Sequence, residues 1–159
     1  MAIGNRKSAI YAAAALLSLL GLTDAIYLTI EHVTGQSVRC TIVAGCSEVL
    51  SSSYAVVAGI PLAMIGAAAY FTVFSLATLA AFGYRVAGNL LTPLIVAMFL
   101  VSLWLIYLQA FAIRAFCQFC LLSAGITLLL FVVALMARRM KSVCGWTRGW
   151  ATTRRVFCP

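Results

Sequence analysis

Acidic residues are nearly missing from this chain. Of its 159 residues only 3 are Asp or Glu, and charged residues of both signs make up 9%. Soluble globular chains are about a quarter charged and about half apolar. Here 65% of the residues are hydrophobic, and the mean hydropathy is +1.11. Such a balance excludes an ordinary soluble enzyme. It also excludes disorder, which needs low hydrophobicity. The chain has no Gly-rich dinucleotide motif, no haem-attaching CxxCH and no flavin fingerprint. A nicotinamide or flavin cofactor is therefore not expected. Internal repeats and low-complexity tracts are missing too.

What is present is lipid-compatible sequence. Four apolar stretches, at about 8–30, 59–82, 90–113 and 117–137, are each long enough to cross a bilayer, which takes about 20 residues. The first follows Arg6 and Lys7 as a signal peptide would. It runs past the length of a signal h-region, however, and reads as a retained helix. The expected fold is an all-α integral membrane protein, a bundle of four transmembrane helices. The expected organisation is a short N-terminus at 1–7, a four-helix domain at 8–137 with an outer loop at 31–58, and a basic tail at 138–159. Trp146 and Trp150 in that tail suggest an interfacial anchor.

The net charge of +8 would suggest nucleic acid in a soluble chain. Here the basic residues lie outside the apolar runs, so no nucleic-acid partner is expected. Nine of them (Arg6, Lys7, Arg85, Arg138, Arg139, Lys141, Arg148, Arg154 and Arg155) fall on the side of the termini, and only Arg39 and Arg114 on the other. By the positive-inside rule both termini are expected in the cytoplasm. The 31–58 loop and the turn before Cys117 then face outward.

The six cysteines fall in three pairs: Cys40 with Cys46, Cys117 with Cys120, and Cys144 with Cys158. The first two pairs lie on the outer side, in an oxidising space if the membrane is bacterial. The third lies in the tail, where thiols stay reduced and no role is expected. Cys117-Gln118-Phe119-Cys120 is a CxxC at a helix start. Residues i and i+3 share a helix face, and the helix N-terminus favours the thiolate that attacks in disulfide exchange. Zinc binding by the four outer cysteines, or two inert disulfides, are competing readings. A second pair beside a membrane-edge CxxC suggests a relay, in which one pair meets a soluble partner and the other meets something in the lipid. A lipid quinone reaches such a site more readily than a soluble acceptor.

Several motifs resemble a known family. They are Cys46-Ser47-Glu48-Val49-Leu50-Ser51-Ser52-Ser53-Tyr54-Ala55, then Gly59-Ile60-Pro61-Leu62, then Tyr107-Leu108-Gln109 followed by Ala115-Phe116-Cys117-Gln118-Phe119-Cys120-Leu121-Leu122-Ser123-Ala124. Asp24-Ala25-Ile26-Tyr27-Leu28-Thr29 with His32 adds to them. Over about 9–137 the chain is similar to the bacterial form of the vitamin K epoxide reductase family. The resemblance implies a four-helix bundle around a quinone (ubiquinone or menaquinone), capped by an outer-loop half-helix, with no metal. It implies a thiol:quinone oxidoreductase of the bacterial inner membrane that supports disulfide formation. A secreted thioredoxin-like protein of the DsbA type would be oxidised through Cys40 and Cys46, which pass electrons to Cys117 and Cys120. Ser52 matches the family's hydroxyl near the ring, or else caps the half-helix.

Asp24 is a carboxyl inside an apolar run, a candidate for proton delivery to the quinone or for pairing with Arg114. Tyr107, Phe111 and Phe116 are further candidates for ring contact. Vertebrate members carry an Asn in the second-span region and a Tyr four places after the last motif cysteine. This chain has Ala124 at the latter and only Ser75 as a polar side chain in the former. That favours a plain quinone over an epoxide. Vitamin K epoxide reduction with another reductant remains an alternative, as does a membrane metal-binding or transport protein. The unrelated DsbB type of quinone reductase places its cysteine pairs in the reverse order. Many bacterial members continue into a fused thioredoxin-like domain; here a separate redox partner is expected.

Overall fold

A computed structural model of the chain describes residues 2–34 and 46–146. Cys40, Cys158, Trp150 and most of the expected basic tail lie outside these. Five α-helices follow in order: α1 (Ala2–Thr34), α2 (Cys46–Ser51), α3 (Leu62–Ala81), α4 (Arg85–Leu108) and α5 (Gln118–Trp146). The short α2 is the expected half-helix. A 3-10 turn at Ser53–Ala55 follows it, then a minimal hairpin of β1 (Val56–Val57) and β2 (Ile60–Pro61), antiparallel with Val57 opposite Ile60. This hairpin delivers the chain directly into α3.

Four helices are long and apolar enough to cross a membrane, over Ser8–Thr34, Leu62–Ala81, Arg85–Ile113 and Gln118–Arg139. They form a closed ring in which α1 packs on α3 and α5, and α4 packs on α3 and α5. Many large side chains, Leu16, Phe71, Leu100 and Leu129 among them, point outward and are exposed. Such a surface suits hydrocarbon rather than water.

The connection between α3 and α4 is tight because α3 ends in a Schellman motif. Gly83 has φ +96, its N–H donates to the Ala80 carbonyl at 3.1 Å, and Tyr84 N–H donates to Leu79 at 3.1 Å. A left-handed glycine there satisfies carbonyls that would otherwise be orphaned at the helix end.

Small residues let the helices approach closely, since lipid supplies no hydrophobic drive between them. Gly21 of α1 lies against the ring of Tyr70 on α3, where an added Cβ would collide with ring atoms. Tyr70, almost wholly buried, reaches across to α5, and its hydroxyl pairs with Ser123 Oγ at 2.8 Å and donates to the Ser123 carbonyl at 3.0 Å. Thr127 of α5 donates to Ser102 of α4 at 3.1 Å. The main core gathers Ala14, Val73, Ala77, Ile95, Leu130 and Ala134 from all four long helices.

Candidate active site

The cysteine end of the bundle depends on an irregular passage between α4 and α5. After Leu108 the chain makes a π-helical turn, Gln109–Ile113, then turns left-handed at Arg114 with φ 56. A π-turn inside a helix is uncommon and recurs at functional sites. A non-glycine residue in the left-handed region costs roughly 1–2 kcal/mol. The passage lets the chain reverse in a few residues and bring Cys117 to the start of α5. Cys117 acts there as the residue preceding the helix, and its carbonyl accepts from Leu121 N–H at 3.0 Å.

A second buried cluster forms at this end. It joins Leu28 of α1, Cys46 and Val49 of α2, and Ala115 and Cys117 of the α4–α5 passage, with Phe119 and Cys120 packed against it. Cys46 is 1% exposed and Cys117 is 0% exposed. The half-helix therefore sets Cys46 in the same dry pocket as the CxxC. Cys46 is disulfide-bonded. Cys117 and Cys120 are free thiols, so neither is its partner. Cys40 lies outside the described residues. The Tyr27 and Phe119 rings, 5.2 Å apart, close the cluster on the α1 side.

The two thiols of the CxxC are unequal. The Cys117 thiol is lowered to about 7, first by the hydrogen bond that the Cys120 thiol donates to its sulfur. Burial opposes this, and the backbone N–H groups of Phe119 and Cys120 at the helix start assist it. Cys120 faces the other way, into a cavity between the four long helices and the outer-loop cap. Asp24 and His32 of α1, Ser52, Tyr70 of α3, and Gln109 of α4 also line it, while the rest of its wall is largely aliphatic.

Of the residues singled out in the sequence, Ser52 and Asp24 line this cavity with Cys120. The Ser52 hydroxyl donates to the Val49 carbonyl at 2.7 Å, so it ties down the half-helix while one face stays toward the cavity. Asp24 Oδ2 is buried and has no hydrogen-bond partner among the described residues. The pairing with Arg114 considered for it is not made at that oxygen; Arg114 is exposed.

Tyr107, Phe111 and Phe116 do not line the cavity. Tyr107 and Phe111 are exposed and extend an aromatic ladder from Trp104 along the outer face of α4, with ring separations of 5.9 Å and 4.9 Å. Phe116 is exposed as well. The rotation of α4 decides this, and helical spacing alone does not reveal rotation. Ala124 lines the cavity, as its place in the motif suggests. Ser75 is half-buried, does not line the cavity, and donates to its own helix at the Phe71 carbonyl, 2.9 Å away.

Sequence reasoning passed over Gln109 except as part of a quoted motif. It is 3% exposed, and its side-chain oxygen accepts from Cys117 N–H at 3.2 Å. A polar amide late in a long apolar span was the available signal. Among the described residues no three His, Cys, Asp or Glu side chains gather as a metal would require.

Fold and site together define a class: a multi-pass membrane protein of four helices, built around a vicinal thiol pair beside an apolar cavity. The sequence matches the Vitamin K epoxide reductase family over residues 12–135, and the chain belongs to that family, as a membrane oxidoreductase. It is also similar to the Thiol-disulfide oxidoreductase LTO1 of Arabidopsis thaliana, 32% identical over 136 residues. That likeness covers 77% of this chain and 35% of the relative, so the chain spans about a third of the relative's length.

Proposed function

We propose that this protein is a thiol:quinone oxidoreductase that supports disulfide formation outside the cytoplasm. The observation that carries the reading is the single buried cluster holding Cys46 and Cys117, with Cys120 packed against it and open to the cavity. Disulfide exchange needs sulfurs that can approach one another and a thiolate to attack. Reduced thiols of a thioredoxin-like partner attack Cys40 of a Cys40–Cys46 disulfide, and Cys46 is released as thiolate. Cys46 then attacks Cys117 of a Cys117–Cys120 disulfide, and Cys120 leaves as thiolate toward the cavity. Cys40, once freed, resolves the Cys46–Cys117 bond, and the pair Cys117/Cys120 is left reduced. Its two electrons and two protons go to a membrane quinone, and the Cys117–Cys120 bond re-forms.

The cavity fits an acceptor of that kind. It is mostly apolar with a few converging polar groups, the usual make-up of a small-molecule site. Ser52 and Asp24 line it; with a quinone bound there, a protonated Asp24 would supply a proton as negative charge develops on a ring oxygen, and the Ser52 hydroxyl would donate to that oxygen on turning from the Val49 carbonyl. The printed activity of the Arabidopsis relative, thiol-disulfide oxidoreduction, supports the same reading. The positive-inside bias supports a bacterial plasma membrane with both termini cytoplasmic and the cysteine end outward. The 8–137 segment is then the redox domain and the region beyond it a basic cytoplasmic tail.

The test is anaerobic quinone reduction by dithiothreitol in detergent. Wild type should turn over, and Cys120→Ser should not. In the same variant, with Cys40–Cys46 oxidised and no reductant added, the unpaired Cys117 thiolate should attack Cys46 and release Cys40 as thiolate, so that a Cys46–Cys117 bond accumulates and is detectable by peptide mapping. Quinone turnover that survives in Cys120→Ser would overturn the assignment.

A further inference from the structure

The most irregular backbone in the described chain, the π-turn and left-handed Arg114, has one side chain at its start that binds the Cys117 backbone and shares a cavity wall with Cys120. The Gln109 oxygen accepts from Cys117 N–H at 3.2 Å. A carboxamide has one acceptor end and one donor end. With its oxygen committed to Cys117, the NH2 end is the part left to face Cys120, which lines the same cavity wall. Gln109 is 3% exposed, so its carboxamide is held within the protein wall of the cavity.

We propose that Gln109 is the positioning residue that makes Cys120 the charge-bearing sulfur whenever Cys117 is tied up in a mixed disulfide. The proposal rests on the relay reading and deepens it. In the dithiol state the charge belongs on Cys117, which accepts from the Cys120 thiol and from the helix-start N–H groups. Once Cys117 bonds to another sulfur, it no longer needs Cys120 as donor. Cys120 must then leave as a thiolate beside a largely apolar cavity, where an unpaired anion is strongly disfavoured.

Among the described residues, the titratable groups facing that cavity are Asp24 and His32 from α1, Tyr54 from the cap, Tyr70 from α3 and Cys120 itself, and none is a Lys or Arg. Asp24 lines the same cavity as Cys120, and like charges sharing a site disfavour one another. The Gln109 NH2 group is a neutral donor already in place. It can hold the anion without trapping it in an ion pair, so the sulfur keeps its electrons available. The exchange itself stays balanced: the attacking thiolate forms one S–S bond, the Cys117–Cys120 bond breaks, and its electron pair remains on Cys120.

The test isolates Cys120 in the full chain. In Cys117→Ala the backbone N–H that Gln109 holds is kept and the partner thiol is gone. Alkylation of Cys120 by iodoacetamide is followed against pH in detergent, on the peptide that carries it, by mass spectrometry. Adding Gln109→Leu should slow alkylation at neutral pH roughly tenfold, a shift of about one pH unit in the midpoint. Adding Gln109→Glu instead keeps an oxygen for Cys117 N–H but sets a carboxylate against the sulfur, and it should slow the reaction at least as much. If Gln109→Glu alkylates like its parent, Gln109 acts only through the backbone and the proposal fails. No quinone or partner protein enters the measurement. A protein that shows this shift yet never reduces quinone would sink the relay and leave the Gln109–Cys120 coupling standing.

Discussion

At one end of the bundle Val73, Ala77, Ile95 and Leu130 interlock, and the polar groups among them, Ser18 and Thr127, bond back to carbonyls of their own helices. At the other end Cys46 and Cys117 are buried in a second cluster, Cys120, Gln109 and Asp24 line a cavity beside it, and one Asp24 oxygen has no hydrogen-bond partner among the described residues. The first end is dense and self-satisfied, built of straight helix. The second combines a π-turn, a left-handed arginine and a six-residue helix. Regular helix satisfies every backbone group by itself, which lipid demands. Irregular backbone is tolerated at membrane depth only where protein covers it or a cavity adjoins it. The cap α2 and the aromatic pair Tyr27–Phe119 supply that cover here. The packed end is dense regular helix, and the cysteine cluster is built on the ends of those same helices.

The contrast can be broken most severely at its reactive end. Cys117→Ala should abolish dithiothreitol-driven quinone reduction while leaving the helical circular dichroism and the thermal unfolding profile close to wild type. A variant that keeps turnover would show that Cys117 is not on the electron path. Leu130→Ala attacks the packed end. In a soluble core such a truncation costs roughly 2–5 kcal/mol. Lipid is as apolar as the core, so the transfer part largely vanishes and only lost packing remains, about 1–3 kcal/mol. Unfolding in mixed micelles should register that loss, with alkylation of Cys117 unchanged in the folded protein.

A milder change sharpens the division of labour between the two thiols. With its thiol lowered to about 7, Cys117 is mostly protonated below that pH and mostly thiolate above it. Its alkylation should therefore rise with pH through neutrality, earlier than for an ordinary cysteine. Cys120→Ala removes the main donor, so the midpoint should move upward, since burial and no thiol donor are left. An unmoved midpoint would assign the effect to the helix start alone. Tyr70→Phe removes the link to Ser123 between the two ends and should cost about 1 kcal/mol in the same unfolding measurement. The smallest effect is expected in the tail: Cys144→Ser with Cys158→Ser should leave quinone turnover unchanged, and a clear drop would give those thiols a role.

Much of this arrangement was readable in one dimension, and the reasons are local. A span announces itself by unbroken hydropathy, and the four membrane-length apolar segments lie within about five residues of where composition suggests, while α5 itself continues to Trp146, into the expected tail. The half-helix Cys46–Ser51 came from a motif rather than from periodicity, since six residues are too few to show a period. Cys117 and Cys120 were legible because an i, i+3 spacing fixes their neighbourhood whatever the rest of the chain does. The aromatic residues Tyr107 and Phe111 were not. Their spacing puts them on one face of α4 without saying which neighbour, if any, that face meets.

Hydropathy, the positive-inside pattern and the paired cysteines belong to the sequence itself, because each depends on residues adjacent along the chain. The meeting of Asp24, Ser52, Gln109 and Cys120 around one cavity does not. It depends on how far each helix is rotated about its own axis, and on a π-turn whose geometry no residue pattern announces. Those are settled only when four apolar helices pack against one another, small residue to large, and turn these four side chains toward one cavity.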